Sequence, residues 1–379
     1  MQTPQADAPA GQPTSAARAA PQALPPGTRN RQVRLAARPQ GLPKPTDWSI
    51  SDEPVRAPEA DGGVLVQVLM LSLDPAMRGW MNEGKSYIPP VGLGEVMRAG
   101  GVGRVIASRH PAFAVGAHVA GSLGVQQFCL LESADAVRRA GLARIDTALA
   151  PLPKWLNALG MPGMTAYFGL LEVGRPQAGE TVVVSGAAGA VGQTVGQVAR
   201  IKGCRVVGIA GGQAKCDFVV RELGFDACID YKAGSVRDGL KAHAPDGIDV
   251  YFDNVGGDIL DAVLARINRR ARIVICGAIS QYNNTEPVKG PANYLSLLVN
   301  RARMEGIVVF DWADRYGEGI AQIGQWMREG RFQSREDIVE GGVDRFPEAL
   351  NMLFSGENFG KLVLRVGPDD AQADHVGAA

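Results

Sequence analysis

The run Val182-Val183-Val184-Ser185-Gly186-Ala187-Ala188-Gly189-Ala190-Val191-Gly192 carries the densest chemical signal in the chain. A β-branched strand enters a glycine-rich turn, and a helix-forming stretch leaves it. From Ala187 the spacing is A-x-G-x-x-G, with alanine where a first glycine is usual. A turn of this kind brings backbone amides and a helix N-terminus up to a pyrophosphate. Gly189, Ala190, Val191 and Gly192 are therefore the expected phosphate contacts. Gly189 lets the backbone approach, and Gly192 lets the helix pack close to the strand. NAD-binding sites place a carboxylate at the end of the second strand, for the ribose 2′-hydroxyl. Here that strand ends Ala210-Gly211-Gly212-Gln213-Ala214-Lys215, with no acid at its tip. Lys215 supplies a counter-charge for a 2′-phosphate instead. Tyr231 ends the third strand and is expected to close on the same phosphate. Asn254 ends the fourth strand, at the edge where such sheets take ligands. The cofactor these residues predict is NADPH/NADP.

These groups need a scaffold, and the sequence from Gly179 onward provides its pattern. Thr181–Ser185, Arg205–Ala210, Ala227–Tyr231, Ile248–Asn254 and Ala271–Gly277 are short apolar runs, and helix-length segments separate several of them. Apolar runs without polar alternation belong to parallel strands covered on both faces. This predicts an α/β protein with a doubly wound, Rossmann-type domain. Earlier, from about Val33 to Leu131, Gly63–Asp74 and Gly100–Ser108 read as strands within glycine-punctuated β structure, which suggests a small, partly open β-barrel. The strand-like Lys361–Val366 lies outside the Rossmann pattern and is expected to return to the barrel. The expected division is a disordered extension over 1–28, a discontinuous barrel domain over 29–152 and 319–367, a Rossmann domain over 153–318, and a tail over 368–379.

Bulk properties limit the alternatives. A chain of 379 residues is long enough for about two domains. Lys plus Arg and Asp plus Glu both number 39, so nothing calls for nucleic acid or an anionic membrane. Trp155–Leu171 is the nearest approach to a membrane span, but Pro162 and glycines interrupt it. Cys129, Cys204, Cys216, Cys228 and Cys276 are odd in number and form no CxxC pair. They read as neither a disulfide framework nor a zinc ribbon, which fits a cytoplasmic protein.

The chain also resembles a known family. Ser72-Leu73-Asp74-Pro75-Ala76-Met77-Arg78, Gly163-Met164-Thr165-Ala166-Tyr167, the Ser185–Gly192 turn, Phe252-Asp253-Asn254-Val255-Gly256-Gly257, Cys276-Gly277-Ala278-Ile279-Ser280-Gln281-Tyr282-Asn283 and Glu357-Asn358-Phe359-Gly360-Lys361 are similar to motifs of the leukotriene B4 dehydrogenase/prostaglandin reductase family. That family is a zinc-independent group of medium-chain dehydrogenase/reductases that includes alkenal and curcumin reductases. The resemblance runs from about residue 30 to 366. It implies a GroES-like catalytic barrel beside the Rossmann domain, with NADPH in the cleft between them. It further implies cofactor contacts from Cys276, Gly277, Ala278, Ile279, Ser280 and Tyr282, from Ile307, Val308 and Val309, and from Asn358.

Zinc dehydrogenases of the superfamily use a cysteine and a Gly-His-Glu histidine in the barrel. The corresponding stretches here are Ser72-Leu73-Asp74-Pro75 and Gly94-Glu95-Val96-Met97, without either ligand, and the four histidines have no ligand spacing. No metal site is expected. Without a Lewis acid, a double bond conjugated to a carbonyl is an easier target than an isolated ketone. Hydride goes to the β-carbon, and the charge that builds on an enolate oxygen needs a hydrogen-bond donor. Tyr282 is the expected donor. Tyr87, Arg78, Met164 and Tyr167 are expected around the substrate. The function expected is NADPH-dependent reduction of α,β-unsaturated aldehydes and ketones. The alternatives are a quinone reductase and a non-catalytic NADPH-binding sensor or scaffold. The family's habit implies a homodimer, and the apolar run Gly306–Phe310 is expected to pair across its two-fold axis.

Overall fold

The computed structural model describes residues 27–368. Apart from residues 27, 28 and 368, the expected extension and tail lie outside the described residues.

The described residues open with two antiparallel strands, β1 (Arg29–Leu35) and β2 (Trp48–Pro54). A larger sheet follows, built on β3 (Val64–Ser72), β4 (Gly100–Ser108), β5 (His118–Ser122), β6 (Phe128–Leu131) and β7 (Ala143–Arg144). β3 is its centre. All but one of its nine residues are buried, because partners flank it: β4 and β6 pair with it antiparallel. Val33, Val66, Val68, Leu71 and Val105 share the core of this part.

The second sheet contains β8 (Thr181–Ser185), β9 (Arg205–Ala210), β10 (Ala227–Asp230), β11 (Ile248–Asp253), β12 (Ile267–Ile275) and β13 (Arg303–Gly306). All run parallel in the order β10-β9-β8-β11-β12-β13. This is the doubly wound order, in which the winding reverses between β8 and β11. Side-chain alternation explains why the centre of β8, Val182 to Val184, is apolar on both faces. Val182 and Val184 enter one core cluster and Val183 the other, on the opposite face.

Two late strands complete the first sheet, β14 (Glu336–Val339) and β15 (Lys361–Arg365). β15 pairs antiparallel with β3 and parallel with β14. The chain therefore returns to the first sheet after leaving the second. Lys361 anchors the return: its buried ammonium donates to Leu73 O and Asp74 Oδ1, each at 2.6 Å.

Three details differ from the sequence expectations. The run Gly306–Phe310 is not an edge strand: the edge strand ends at Gly306, and Ile307 and Val309 turn their side chains into the core. The helix Tyr316–Arg328 begins the expected second barrel segment, but Ile323 and Trp326 bury themselves in the cluster that covers the parallel sheet. The cysteines are not all unpaired. Cys216, on helix Gln213–Arg221, is disulfide-bonded to Cys228 on β10, with their Cα atoms 5.2 Å apart, and Cys129, Cys204 and Cys276 are free. Among the described residues no helix is long and apolar enough to cross a membrane.

Candidate active site

The site begins at the reversal point of the parallel sheet. Gly186 turns the chain out of β8 with φ of +61°, a conformation that strains any residue with a Cβ. Helix Ala190–Ile201 then starts with Gly189 as its N-cap and no side chain capping it. The amides of Ala190, Val191 and Gly192 are in its first turn, where the helix supplies no acceptor. A Cβ on Gly192 would stand 2.2 Å from Gly186 O, so the turn and helix approach as closely as only glycine permits. An open cradle of amides at the positive end of a helix fits a pyrophosphate.

Opposite this turn, β11 delivers Asn254. Its amide Nδ2 donates to Ser185 O at 2.7 Å, and its backbone N–H donates to Ser185 Oγ at 3.0 Å. Beneath it, Asp253 Oδ1 accepts from Tyr251 Oη at 2.8 Å, Ser185 Oγ at 3.1 Å, and the N–H groups of Val255 and Gly256 at 3.0 and 2.9 Å. Burial nevertheless holds the Asp253 carboxyl above its ordinary range. This buried network fixes the turn that presents Asn254. No charge pattern in the sequence announces it.

The end of β9 supplies the other half of the cradle. Asp230 accepts from Gly212 N–H at 2.8 Å and Lys232 N–H at 2.9 Å, which shapes the tip of the strand. These backbone donors, Gly212 first, hold the Asp230 carboxyl below its usual range. The Tyr231 ring packs so close to Gly211 that a Cβ there would meet its hydroxyl at 2.8 Å. Lys215 is half-buried and donates from Nζ to Gly356 O at 2.8 Å, across to the loop before β15. Burial lowers its pKa, and Lys232 acts in the same direction. An anion bound here would oppose both effects. Asn358, in the same loop, donates to Gly360 O at 3.0 Å.

After β12 the chain folds over the end of β11. Cys276 and Gly277 donate to Asp253 O at 2.9 and 3.1 Å, Ile279 to Asn254 O at 3.2 Å, and Ser280 to Val255 O at 3.2 Å. Burial pushes the Cys276 thiol up to about 12, so it is no nucleophile. Tyr282 turns back into this loop, where its hydroxyl oxygen accepts the N–H of Ala278 at 3.1 Å. A Cβ on Gly277 would lie 2.7 Å from that hydroxyl. Burial raises the Tyr282 pKa, the Ala278 amide opposes this, and Tyr87 is among the groups that add to the rise.

Tyr87 comes from the barrel side. It is 55% exposed, accepts from Trp80 Nε1 at 3.1 Å, and its ring stands 6.3 Å from that of Phe310 on the Rossmann side. Tyr87 and Phe310 thus face one another across the gap between the two sheets' domains. Arg78 is buried at 3% exposure, and its Nε donates to Gly41 O at 3.0 Å and Asn283 Oδ1 at 3.1 Å. Ile307 and Val309 back the Rossmann side as buried core residues, with Val308 between them half-buried.

Two expected pocket residues have other neighbours. Met164 is fully buried, and a Cβ on Gly319 would meet its Sδ at 2.6 Å and Tyr167 Cδ1 at 3.4 Å. Both side chains pack on helix Tyr316–Arg328. They share that face because they are three residues apart on helix Met161–Phe168. The neighbours the structure gives Met164 and Tyr167 are thus those of helix packing. The residues that sequence reasoning missed are Asn283, Trp80, Asp230 and Asp253. Only Asn283 and Asp253 lay within motifs already marked as chemical.

Among the described residues no group of three or more His, Cys, Asp and Glu could hold a metal ion. Asp74, within the stretch Ser72–Pro75 that corresponds to the cysteine site of zinc dehydrogenases, is instead occupied by Lys361 and by Ser72 Oγ.

A parallel sheet with a phosphate cradle at its reversal point, joined to a barrel that closes over the same edge, defines a two-domain nicotinamide-dependent oxidoreductase. Residues 31–138 match the family model described as the N-terminal domain of oxidoreductase, and residues 190–324 match that described as zinc-binding dehydrogenase. The chain is 42% identical to the NADPH-dependent curcumin reductase of Escherichia coli, over 90% of this chain and 98% of that protein. It is 41% identical to the NADP(+)-dependent 2-alkenal reductase of Nicotiana tabacum, over 89% and 97%. CurA of Vibrio vulnificus, solved in complex with NADPH, superposes with a TM-score of 0.82 at 42% identity, covering 89% of this chain and 100% of that one. The chain belongs to the zinc-independent medium-chain dehydrogenase/reductases, in the family of the curcumin, 2-alkenal and prostaglandin reductases.

Proposed function

We propose that the protein is an NADPH-dependent reductase of the carbon–carbon double bond in α,β-unsaturated aldehydes and ketones. The observation that carries this reading is the placement of Tyr282. Its hydroxyl is fixed as an acceptor by Ala278, so its own proton is available to a substrate oxygen. Its neutral form is favoured by burial.

The residues present fit NADPH: a glycine cradle without a capping side chain, Lys215 with Tyr231 beside the tip of β9, and the one carboxylate at that tip, Asp230, engaged by the N–H groups of Gly212 and Lys232. Bound there, the cofactor supplies a hydride. Gly189 to Gly192 would hold the pyrophosphate, Lys215 and Tyr231 the 2′-phosphate, and Asn254 with the Cys276–Ser280 loop and Asn358 would orient the remainder. Tyr282 donates a hydrogen bond to the carbonyl oxygen of the substrate as charge develops on it, and the enolate then takes a proton from water at its α-carbon, which completes the reduction. The Ala278 N–H steadies the phenol oxygen as it gives up proton density. Tyr87, supported by Trp80, walls the substrate from the barrel side, and Phe310 faces it from the other side, while Ile307 to Val309 back the cofactor. The expected test result is oxidation of NADPH by a 2-alkenal and none by the saturated aldehyde.

The domain division supporting this reading places residues 29–152 and the segment returning through β14 and β15 in the catalytic domain. The cofactor domain lies between them, with helix Tyr316–Arg328 packed on it. A homodimer is part of the same proposal. β13 is an open sheet edge, and Leu295, Leu298 and Val299 beside it are 55%, 75% and 70% exposed. Replacing Leu298 with Glu is expected to halve the mass seen by light scattering, and an unchanged mass would count against this interface. A cytoplasmic location is part of the same proposal: Cys129, Cys204 and Cys276 are free thiols, and the Cys216–Cys228 bond is the one feature that counts against it.

A further inference from the structure

We infer that Arg78 and Asn283 are positioning residues for the reaction, a bolt across the domain cleft that sets where Tyr282 stands. The inference rests on the role proposed for Tyr282 and adds what holds that residue in place.

Arg78 is a cation with 3% of its surface exposed. Removing a guanidinium from water is costly unless its N–H groups are all engaged. Here it meets four neutral oxygens and no carboxylate. Nη2 donates to Pro39 O at 3.0 Å, Nε is shared between Gly41 O and Asn283 Oδ1, and Nη1 donates to Asn82 Oδ1. Burial accordingly lowers its pKa, and Asp47 is the charge that opposes this. A buried cation without an ion-pair partner is a poor device for stability, since an apolar side chain of similar volume avoids the desolvation cost. What the planar fork does supply is fixed geometry among several chain segments. Three of its acceptors belong to the barrel side. The fourth, Asn283, belongs to the Rossmann side and is the residue after Tyr282.

The remaining contacts of this loop explain why that matters. Its root is pinned to the end of β11 through Ile279 and Ser280, and the Tyr282 hydroxyl accepts from within its own loop, at Ala278. Beyond Asn283 the residues Asn284 to Gly290 are exposed. The bond to Arg78 therefore ties the free side of the loop to the barrel. Gly41, at φ of +74°, lies alongside the same loop, since a Cβ built there would stand 3.7 Å from both Asn283 O and Thr285 Cγ2. Helix Ala76–Trp80 carries both Arg78 and Trp80, and Trp80 holds Tyr87. One short helix thus braces the substrate wall with one residue and the hydroxyl donor's loop with another.

The test uses the full chain and the conjugated acceptor that it turns over fastest. Asn283→Ala removes the acceptor and leaves Arg78 its three barrel-side partners. A loop displaced by about 1 Å is expected to lower kcat by about 10- to 100-fold. NADPH affinity, read by cofactor fluorescence, and the thermal midpoint are expected to stay near those of the parent. Asn283→Asp keeps an oxygen for Arg78 and is expected to restore turnover. In a Tyr282→Phe background, Asn283→Ala is expected to add little further loss, because both changes remove one function. Arg78→Lys, which keeps the charge but not the fork, is expected to fall on the Asn283→Ala side. Parental turnover in Asn283→Ala, or an undiminished loss in the Tyr282→Phe background, would overturn the bolt while leaving the reductase reading intact. Full turnover by Tyr282→Phe alone would remove Tyr282 as donor, and the bolt's purpose with it.

Discussion

The Tyr282 hydroxyl oxygen lies 3.1 Å from the Ala278 amide nitrogen that donates to it. A phenol has one proton to give, and this contact leaves that proton uncommitted while stabilising the oxygen once it is given up. Tyr282→Phe keeps the ring and loses both functions. It is expected to reduce kcat by about 100-fold, the lower range for loss of a positioned proton donor. NADPH dissociation, measured by fluorescence titration, is expected to change far less. A variant with weakened NADPH binding and normal turnover would assign the tyrosine to the ribose alone.

The same tyrosine sets the pH dependence. Its pKa in the fold is raised above the ordinary tyrosine value, so the neutral donor form persists as pH rises through that value. Turnover limited by this group is therefore expected to stay flat to about pH 10 and to fall only beyond it. A pH–rate profile measured at saturating NADPH checks this. An alkaline limb well below pH 10 that disappears in Tyr282→Phe would contradict the direction of the shift.

Lys215 is expected to choose between the two nicotinamide cofactors. Lys215→Ala removes the charged partner of the 2′-phosphate and the bond to Gly356 O. The KM for NADPH is expected to rise about 10-fold or more, the size of one hydrogen bond to a charged group, while the KM for NADH hardly moves. A parallel rise for both cofactors would mean that Lys215 acts by holding the Gly356 loop.

Much of this site was legible because its signals are local. The turn at Gly186–Gly192 lies within one β-α unit, and Asn254 and Tyr231 end strands whose apolar runs mark them plainly. The remaining features depend on contacts the linear pattern does not encode. Arg78 meets Asn283 across 205 positions, and Lys361 meets Asp74 across 287. Met164 and Tyr167 sit on a helix with apolar residues on all sides, so no periodicity said which side faces the cofactor. Ile307 and Val309 look like edge-strand residues, yet their burial against the sheet decides their role. Cys216 and Cys228 carry no motif, and they pair because helix Gln213–Arg221 packs on β10.

That pairing has a direct chemical check. Unfolded without reductant, the protein is expected to show three reactive thiols, Cys129, Cys204 and Cys276, and five after reduction. Because the bond joins the helix of Lys215 to the strand before Tyr231, reduction is also expected to loosen NADPH binding in preference to turnover. Five thiols without reductant would mean that the bond is absent from the isolated protein.

The central claim is that the protein reduces conjugated double bonds with NADPH, and the loss of NADPH absorbance tests it most directly. The acceptors are trans-2-alkenals and enones, their saturated counterparts and a quinone, with a metal chelator present throughout. The expected result is rapid oxidation by the conjugated carbonyl compounds, none by the saturated ones, no effect of chelator, and poor activity with NADH. Oxidation by the quinone alone, or tight NADPH binding with no oxidation by any of these acceptors, would contradict it.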